Sequence, residues 1–184
     1  MTQVASSDDD LMARLSDSPR AAQEAAFREL VSRHSRGLRS FVAPLVGSRA
    51  DDVVQETFLR IYQHKSRYRQ APTSFRSWAY RIARNLALNS QRKEGRIRPL
   101  EAASPPLDPS RAPSSGLDDQ ERREELRSAL AGLAGKEREV VELRYQRGLS
   151  YAEIAEVVGA SPAAVKQRAW RALQRLRGEL QESV

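Results

Sequence analysis

The feature that most constrains the fold is a stretch near the C-terminus, SYAEIAEVVGASPAAVKQRAW, at residues 150–170. Ser150 and Glu153 have the spacing of a capping box, which begins a helix. Gly159 suits the left-handed backbone conformation that ends a helix. Ser161, followed by proline, is typical of the start of another helix. The stretch therefore predicts two helices joined by a tight turn.

The second of these helices has one apolar side and one basic side. The residues that recur on the apolar side, and that we expect in a core, are Val165, Ala169, Ala172, Leu173, Leu176 and Leu180. The candidate DNA contacts at the cap and on the polar side are Ser161, Ala164, Lys166, Gln167, Arg168, Arg171 and Arg175. Residues 161–178 contain five basic side chains and no acidic one, whereas a solvated helix of a small bundle would usually carry Glu for pairing.

Side chains of this kind match the edges of bases. Arg can bridge the two acceptors of guanine, and Gln can pair bidentately with adenine. The pattern therefore predicts a helix-turn-helix whose second helix enters the major groove of duplex DNA. Trp170 lies at the margin of the two sides, and we expect it to pack against the protein rather than to stack on a base.

Positive charge is concentrated in the middle of the chain. The formal net charge is +7, and the segment from Arg60 to Arg98 holds eleven basic residues and one acidic residue. This segment predicts contact with a polyanion. The chain has no cysteine, which excludes disulfides, thiolate metal sites and cysteine-based catalysis. Without an apolar run of membrane-spanning length or a basic, apolar leader, we expect a cytoplasmic protein with no membrane insertion.

Helical periodicity recurs along the chain, and the alternation typical of strands is nearly absent, so we expect an all-α protein. Five prolines between Pro99 and Asp119 predict an extended linker between two small helical domains. We place a polar, frayed or only partly helical segment at residues 1–20, a first domain at 21–96, the linker at 97–119 and a second domain at 120–184.

Two helices of the first domain are predicted in more detail. Ser48 and Asp51 are spaced as a capping box for a helix that runs to about His64. The next helix should span about residues 75–92. The side chains expected along its packing side are Trp78, Ile82, Leu86 and Asn89.

Aromatic residues are interleaved with the basic residues of the mid-chain segment. Basic side chains can hold the phosphates of a single strand, while an aromatic face stacks on an unpaired base. Tyr68 stands in a polar loop, where it could reach an extruded base. The loop residues predicted to act with it are Arg69, Thr73 and Ser74, and the helix residues predicted to line a groove for the strand are Arg76, Arg81, Arg84, Asn85, Asn89 and Arg92.

The segments DDVVQETFLRIYQHKSRYR and FRSWAYRIARNLALNSQRK resemble the region-2 domain of bacterial sigma factors. The segment LAGKEREVVELRYQRGLSYAEIAEVVGASPAAVKQRAWRALQRLR resembles region 4. Only the proline-rich linker separates them, as in the extracytoplasmic-function group of the sigma-70 family. The resemblance covers about residues 25–180.

The resemblance implies a different role for each of the two domains. Region 2 would bind the clamp of core RNA polymerase and would capture a flipped base of the melted −10 element with the Tyr68 loop and Asn85. The implied clamp contacts are Asp51, Asp52, Gln55, Glu56 and Leu59. Region 4 would read the −35 duplex of promoter DNA with the basic helix. Such factors are generally held inactive by an anti-sigma protein.

Two other classes of protein compete with this interpretation. A helix-turn-helix regulator would bind duplex promoters but would leave the Tyr68 loop without a purpose. A metal-dependent nuclease could use Asp51, Asp52 and Glu56, but neither a histidine nor a third carboxylate is placed to join Asp52 and Glu56 on their helix face. His34 and His64 are isolated, and no glycine-rich phosphate loop occurs. We therefore predict neither a metal site nor a cofactor nor catalysis.

Overall fold

A computed structural model describes residues 6–68, 74–93, 126 and 128–182, with side chains up to residue 179. The predicted linker lies outside the described residues, as do Arg69, Thr73 and Leu180 among the side chains singled out above. All regular structure in the described part is helical, which confirms the all-α prediction. None of the described helices is both long and apolar enough to cross a membrane.

Seven helices with defined bounds occur in the described ranges. They are α1 (Asp8–Asp17), α2 (Arg20–Val46), α3 (Ala50–Gln63), α4 (Phe75–Lys93), α5 (Gly135–Val141), α6 (Tyr151–Val158) and α7 (Pro162–Glu182). Helix α5 continues into a π-helical turn at Glu142–Gln146. Residues 128–132 are also helical.

Helix α1 belongs to the packed structure, which the polar sequence did not suggest. A capping box begins it, with Ser7 N–H donating to Asp10 Oδ2 over 3.0 Å and Asp10 N–H donating to Ser7 Oγ over 3.1 Å. Its apolar side chains, Leu11, Met12 and Leu15, are buried against α2. The N-terminal segment is therefore partly helical, as expected, but its helix also packs against α2 and contributes buried side chains to the core.

The start of α3 differs from the prediction. Residues Gly47–Arg49 form a 3₁₀ turn, and α3 begins at Ala50 without a side-chain cap. The predicted capping box of Ser48 and Asp51 is therefore wrong. Asp51 instead accepts from Arg39 Nε of α2 over 2.8 Å, because the turn brings the start of α3 beside that helix.

The packing side of α4 also differs from the prediction. The buried residues are Phe75, Ser77, Ala79, Tyr80, Ala83, Ala87 and Gln91. Trp78, Ile82 and Leu86 are only partly buried, and Asn89 is exposed. Small alanines let α4 lie close to α2 and α3, and these weakly hydrophobic residues contribute little to the pattern that the sequence analysis used.

The helix-turn-helix forms as the sequence predicts. Glu153 N–H donates to Ser150 Oγ over 3.2 Å, and Ser150 N–H donates to Glu153 Oε2 over 2.8 Å. Gly159 has φ 66° and ψ 47°, the left-handed conformation. Ser161 Oγ accepts from Ala164 N–H over 3.2 Å and caps α7. These local contacts fix the angle at which α7 leaves the turn.

The buried residues of α7 are Val165, Ala169, Ala172 and Leu176. Two side chains that were expected to pack lie in solvent instead. Trp170 is 62% exposed and Leu173 is 40% exposed. The packing expected for both is therefore wrong, because the buried stripe of α7 is narrower than the sequence indicates.

The two halves of the chain pack against each other. Helix α4 contacts α6, and Leu143, Ile154 and Val165 lie in the same hydrophobic cluster as Leu38 and Phe75. A second, smaller cluster joins residues 129–133 to Val141, Ala172 and Leu176. The packing places the start of α4 next to the acidic side chains of α5 and α6.

Candidate nucleic-acid interface

The polar side of α7 is open to solvent. Lys166, Gln167, Arg171 and Arg175 are exposed, and Arg168 is half-buried. Ala164, also half-buried, lies one turn before Arg168. Buried and exposed residues alternate with helical periodicity, so the core holds the apolar side of α7 and leaves the basic side accessible. This geometry matches a helix that can enter a DNA groove.

Arg175 differs from the other candidate contacts on α7. Its Nη1 atom lies 3.5 Å from Glu137 Oε2 of α5. Arg171 and Arg175 are both exposed, but the ion pair draws the guanidinium of Arg175 toward α5. Arg171 is therefore better placed than Arg175 to reach a base edge.

Tyr68 stands at the edge of the loop in an aromatic cluster. Its ring centroid lies 5.4 Å from that of Trp78 and 6.4 Å from that of Phe75. Its hydroxyl donates to the Asp9 carboxylate of α1. Burial, with a further contribution from this carboxylate, raises the pKa of Tyr68 well above its usual value, so the side chain is a neutral phenol.

Helix α1 is held over Tyr68 by polar contacts to α2. His34 Nε2 lies 2.8 Å from Asp8 Oδ2, and Arg33 Nη1 lies 3.3 Å from Asp8 Oδ1. The hydrogen bond from His34, helped by Arg33, lowers the pKa of the Asp8 carboxyl, although partial burial opposes the shift. The ionised Asp8 therefore ties the first turn of α1 to α2.

The polar residues at the start of α4 meet carboxylates from the second half of the chain. Arg84 donates to Glu139 through Nε over 2.5 Å and through Nη2 over 3.2 Å. Arg81 Nη1 lies 3.4 Å from Glu156 Oε2. The Ser74 hydroxyl donates to Glu153 Oε1. Three candidate strand contacts are therefore engaged within the chain.

Glu153 serves both as a cap and as a partner of α4. Burial opposes its ionisation, but hydrogen bonds from Ser74 and Ser150 hold the pKa of the Glu153 carboxyl below its usual value. The positive charge of Arg76, which is half-buried, acts in the same direction. Glu153 is consequently an anion at the junction of the two halves.

The structure does not bring all the predicted strand contacts together. Asn89 and Arg92 line a groove of about 540 Å³ between α3 and α4, together with Asp52 and Glu56. Tyr68, Ser74 and Arg84 do not line it. Asn85 is exposed on α4. The C-terminal half of α4 thus faces predicted clamp contacts, while its N-terminal half faces the second half of the chain.

A second groove, of about 600 Å³, lies between α2 and α3. Its apolar lining consists of Phe27, Val31, Val54, Phe58, Leu59 and Tyr62. Leu59 is 49% exposed and Tyr62 is 40% exposed. Asp51 and Gln55 also line the groove. Of the predicted clamp contacts, this groove therefore collects Asp51, Gln55 and Leu59, and the other groove collects Asp52 and Glu56.

Sequence reasoning missed the part that α2 contributes to this groove. Phe27 packs edge-on against Phe58 and Tyr62, with ring centroids 6.1 Å and 5.3 Å apart. Phe27 and Val31 belong to the helical periodicity of this part of the sequence, and the structure leaves both partly exposed. The sequence did contain one indication of this groove, because Leu59 is an apolar residue on an otherwise polar side of α3.

The carboxylates of α3 are not arranged as a metal site. Asp51 pairs with Arg39 and Glu56 pairs with Arg60, each over 2.8 Å. Within the part of the chain that the structure describes, no three acidic, histidine or cysteine side chains are grouped so that they could hold a metal ion. Two of the three carboxylates that the nuclease alternative would use are therefore paired with arginines.

Comparison with known proteins decides among the competing interpretations. The sigma-70 region 2 family matches residues 30–97, and the sigma-70 region 4 family matches residues 123–176. The chain is 34% identical over 177 residues to the ECF RNA polymerase sigma factor SigL of Mycobacterium tuberculosis, covering 93% of this chain and 97% of SigL. The chain belongs to the extracytoplasmic-function group of sigma-70 factors. The family expectation is therefore confirmed.

Other relatives agree. The sigma factor CarQ of Myxococcus xanthus is 34% identical over 164 residues, which cover 86% of this chain and 93% of CarQ. The structure of CnrH in complex with the cytosolic domain of CnrY superimposes with a TM-score of 0.65 at 26% identity, covering 96% of this sigma factor and 99% of CnrH. Sigma factors direct RNA polymerase to promoters, so this chain is a promoter-directing subunit rather than an independent helix-turn-helix regulator.

Proposed function

We propose that this sigma factor divides promoter recognition among three surfaces of its own chain. Helix α7 reads the −35 duplex, the Tyr68 loop with the start of α4 captures the melted −10 strand, and the groove between α2 and α3 receives the clamp of core polymerase. The observation that carries the proposal is the exposed basic side of α7 on a helix whose apolar side is buried.

For the −35 element, the proposal assigns base reading to Gln167 and Arg171. Both are exposed and lie four residues apart, so they point the same way from α7. Lys166 and Arg168 flank them and supply charge for the phosphates. The cap at Ser161 leaves the N-terminal end of α7, with its positive dipole, near the DNA backbone.

For the −10 element, the proposal assigns stacking to Tyr68. The phenol ring already belongs to an aromatic cluster with Trp78 and Phe75, so an inserted base would meet a rigid surface. Arg76, Arg81 and Arg84 follow on α4 at spacings that allow them to hold successive phosphates. The cost of unpairing, about a few kcal/mol, can be offset by such contacts without ATP.

For polymerase, the proposal assigns binding to the groove that contains Leu59. Two large apolar side chains, Leu59 and Tyr62, are exposed beside one another on α3, which is typical of a protein-binding surface. Asp51 and Gln55 at the rim would set the register of a partner helix. The acidic residues Asp52 and Glu56 would contact the same partner from the adjacent groove.

The partners and setting follow from this assignment. The sigma factor would act in the cytoplasm, where polymerase and the chromosome are found, and would perform no catalysis itself. CnrH is bound to the cytosolic domain of CnrY in its structure, and we infer that an anti-sigma protein covers the polymerase-binding faces of this chain. Since the chain has no cysteine, any thiol-based sensing belongs to that partner.

Transcription from a genomic fragment pool with purified core polymerase tests the proposal. The chain should give discrete start sites that share one −35 and one −10 sequence. Arg171→Ala should abolish most of these transcripts, whereas Arg177→Ala, which alters an exposed arginine of α7 outside the candidate DNA contacts, should leave them unchanged. Start sites that are equally frequent without the chain would refute the proposal.

A further inference from the structure

An exposed tryptophan lies on α7 beside the residues assigned to base reading. Trp170 is 62% exposed, although tryptophan side chains are highly buried on average. The other tryptophan of the chain, Trp78, is partly buried in the aromatic cluster of the first half. Base reading by Gln167 and Arg171 does not use the Trp170 indole, which is therefore a large apolar surface without an assigned role.

The core of the second half is complete without Trp170. Val165, Ala169, Ala172 and Leu176 form the buried stripe of α7, and each of them is at most 8% exposed. Trp170 follows Ala169 by one residue, so its side chain points about 100° away from it around the helix. Leaving an indole in water is unfavourable, and tryptophan is not among the residues that favour a helix most. The apolar surface of this indole is therefore available for a contact outside the chain.

Trp170 stands at the edge of the side of α7 that faces the groove. It follows Gln167 by three residues and Lys166 by four, and both spacings make side chains neighbours on a helix surface. It precedes Arg171 by one residue, so it lies no farther from the start of α7 than a residue assigned to base reading. A helix that brings these exposed side chains into the major groove brings the indole with them.

The chemistry of the major groove selects the contact that such an indole can make. A side chain that lies in this groove meets the edges of the bases, and the C5-methyl group of thymine is the apolar group on those edges. Stacking on a base requires an unpaired strand, and the insertion of apolar wedges between base steps belongs to minor-groove binders. A large apolar side chain on α7 therefore matches thymine.

We propose that Trp170 is a specificity-determining residue that recognises the methyl group of a thymine in the −35 duplex. The inference rests on the assignment of α7 to that duplex under the proposed function. Gln167 and Trp170 are separated by about 4.5 Å along the helix axis, and successive bases of a strand are separated by about 3.4 Å. The methyl group therefore belongs to the base pair that Gln167 reads or to the next one.

Replacing thymine by deoxyuridine in the DNA tests this contact, because the replacement removes the methyl group and keeps the base pairing. The probe is the −35 duplex of a promoter mapped by the transcription experiment, with each thymine of the element replaced in turn. Binding of the full chain is measured by anisotropy. For wild type, deoxyuridine at one or two positions should weaken binding about fourfold, the effect of exposing one buried methyl group.

Three variants show whether Trp170 is the residue that meets the methyl group. Trp170→Ala should bind the unaltered duplex at least fourfold more weakly than wild type, and deoxyuridine should then weaken its binding less than twofold. Trp170→Phe keeps an apolar ring without the indole N–H and should retain most of the methyl dependence. Tyr145→Ala is the matched control, because it removes an aromatic side chain that is 54% exposed outside α7, and it should retain the full fourfold dependence.

The possible results separate this inference from the proposed function. If deoxyuridine weakens wild type nowhere, or weakens Trp170→Ala as much as wild type, the inference is wrong and the proposed function stands. A shared −35 sequence without thymine would also overturn the inference. If wild type does not distinguish the −35 duplex from a scrambled duplex, the assignment of α7 to the −35 element fails first.

A second measurement distinguishes DNA from a protein surface as the partner of the indole. In Trp78→Phe, Trp170 is the only tryptophan. Incorporation of 5-hydroxytryptophan at this position allows its emission to be excited apart from the tryptophans of polymerase. The −35 duplex should protect the indole from quenching by acrylamide, and core polymerase without DNA should not. Protection by polymerase alone would place the indole against a protein surface and would overturn the inference.

Discussion

Replacing Gly159 by alanine should destabilise the helix-turn-helix, whereas the same replacement at Gly178 should stabilise it. Gly159 has φ 66° and ψ 47°, and a Cβ atom there would meet nothing within 4 Å. The cost is therefore that of the left-handed backbone alone, about 1–2 kcal/mol, partly offset by the reduced entropy of the unfolded chain. The free energy of unfolding should fall by about 1 kcal/mol.

Gly178 provides the matched comparison, because it lies inside α7 and a Cβ atom there would also meet nothing within 4 Å. Alanine is favoured over glycine in a helix by about 0.5–1 kcal/mol. Urea unfolding followed by circular dichroism should therefore separate the two variants by about 2 kcal/mol, with wild type between them. If both variants shift in the same direction, the turn at Gly159 does not have the conformation that positions α7.

Three further predictions concern the DNA-binding surfaces and the buried charges. Arg171→Ala should weaken binding of the −35 duplex by about 1–3 kcal/mol, measured by anisotropy against a scrambled duplex; an equal loss on both duplexes would make Arg171 a phosphate contact. Tyr68→Ala should impair promoter opening, measured by permanganate reactivity, and a pre-opened bubble should restore activity; equal defects on both templates would contradict the role in opening. Burial raises the pKa of Glu142 to about 7, so the folded chain retains a proton that the unfolded chain loses above about pH 4.5. The contribution of Glu142 to stability should be fully present below that pH and lost as the pH rises through about 7. Glu142→Gln should reduce the difference between the free energies of unfolding measured with urea at pH 5 and at pH 7.5. If the difference is unchanged in the variant, Glu142 is not its cause.

The sequence predicted best those features that depend on residues near one another in the chain. The caps at Ser150 and Ser161 and the left-handed Gly159 need only a few neighbouring residues, and the structure contains all three. The same kind of reasoning failed at Ser48, because the 3₁₀ turn that places Asp51 beside Arg39 depends on the packing of α2 against α3. Local spacing alone could not show that Asp51 pairs with Arg39 instead of forming a capping box with Ser48.

Contacts between distant segments were beyond the reach of the sequence patterns. The packing of α1 over Tyr68 joins residues that are 59 positions apart, and the pair of Arg84 with Glu139 spans 55 positions. Neither has a spacing signal. The sequence identified the basic residues of α4 as a group, but it could not indicate that Asn89 and Arg92 lie in a different groove from Arg84.

Binding of the purified chain to core RNA polymerase tests the central claim most directly. Fluorescently labelled sigma factor should form a saturable one-to-one complex, and Leu59→Asp, which places a charge in the apolar groove between α2 and α3, should weaken that complex at least tenfold. Failure of the purified wild-type chain to associate with core polymerase would contradict the account.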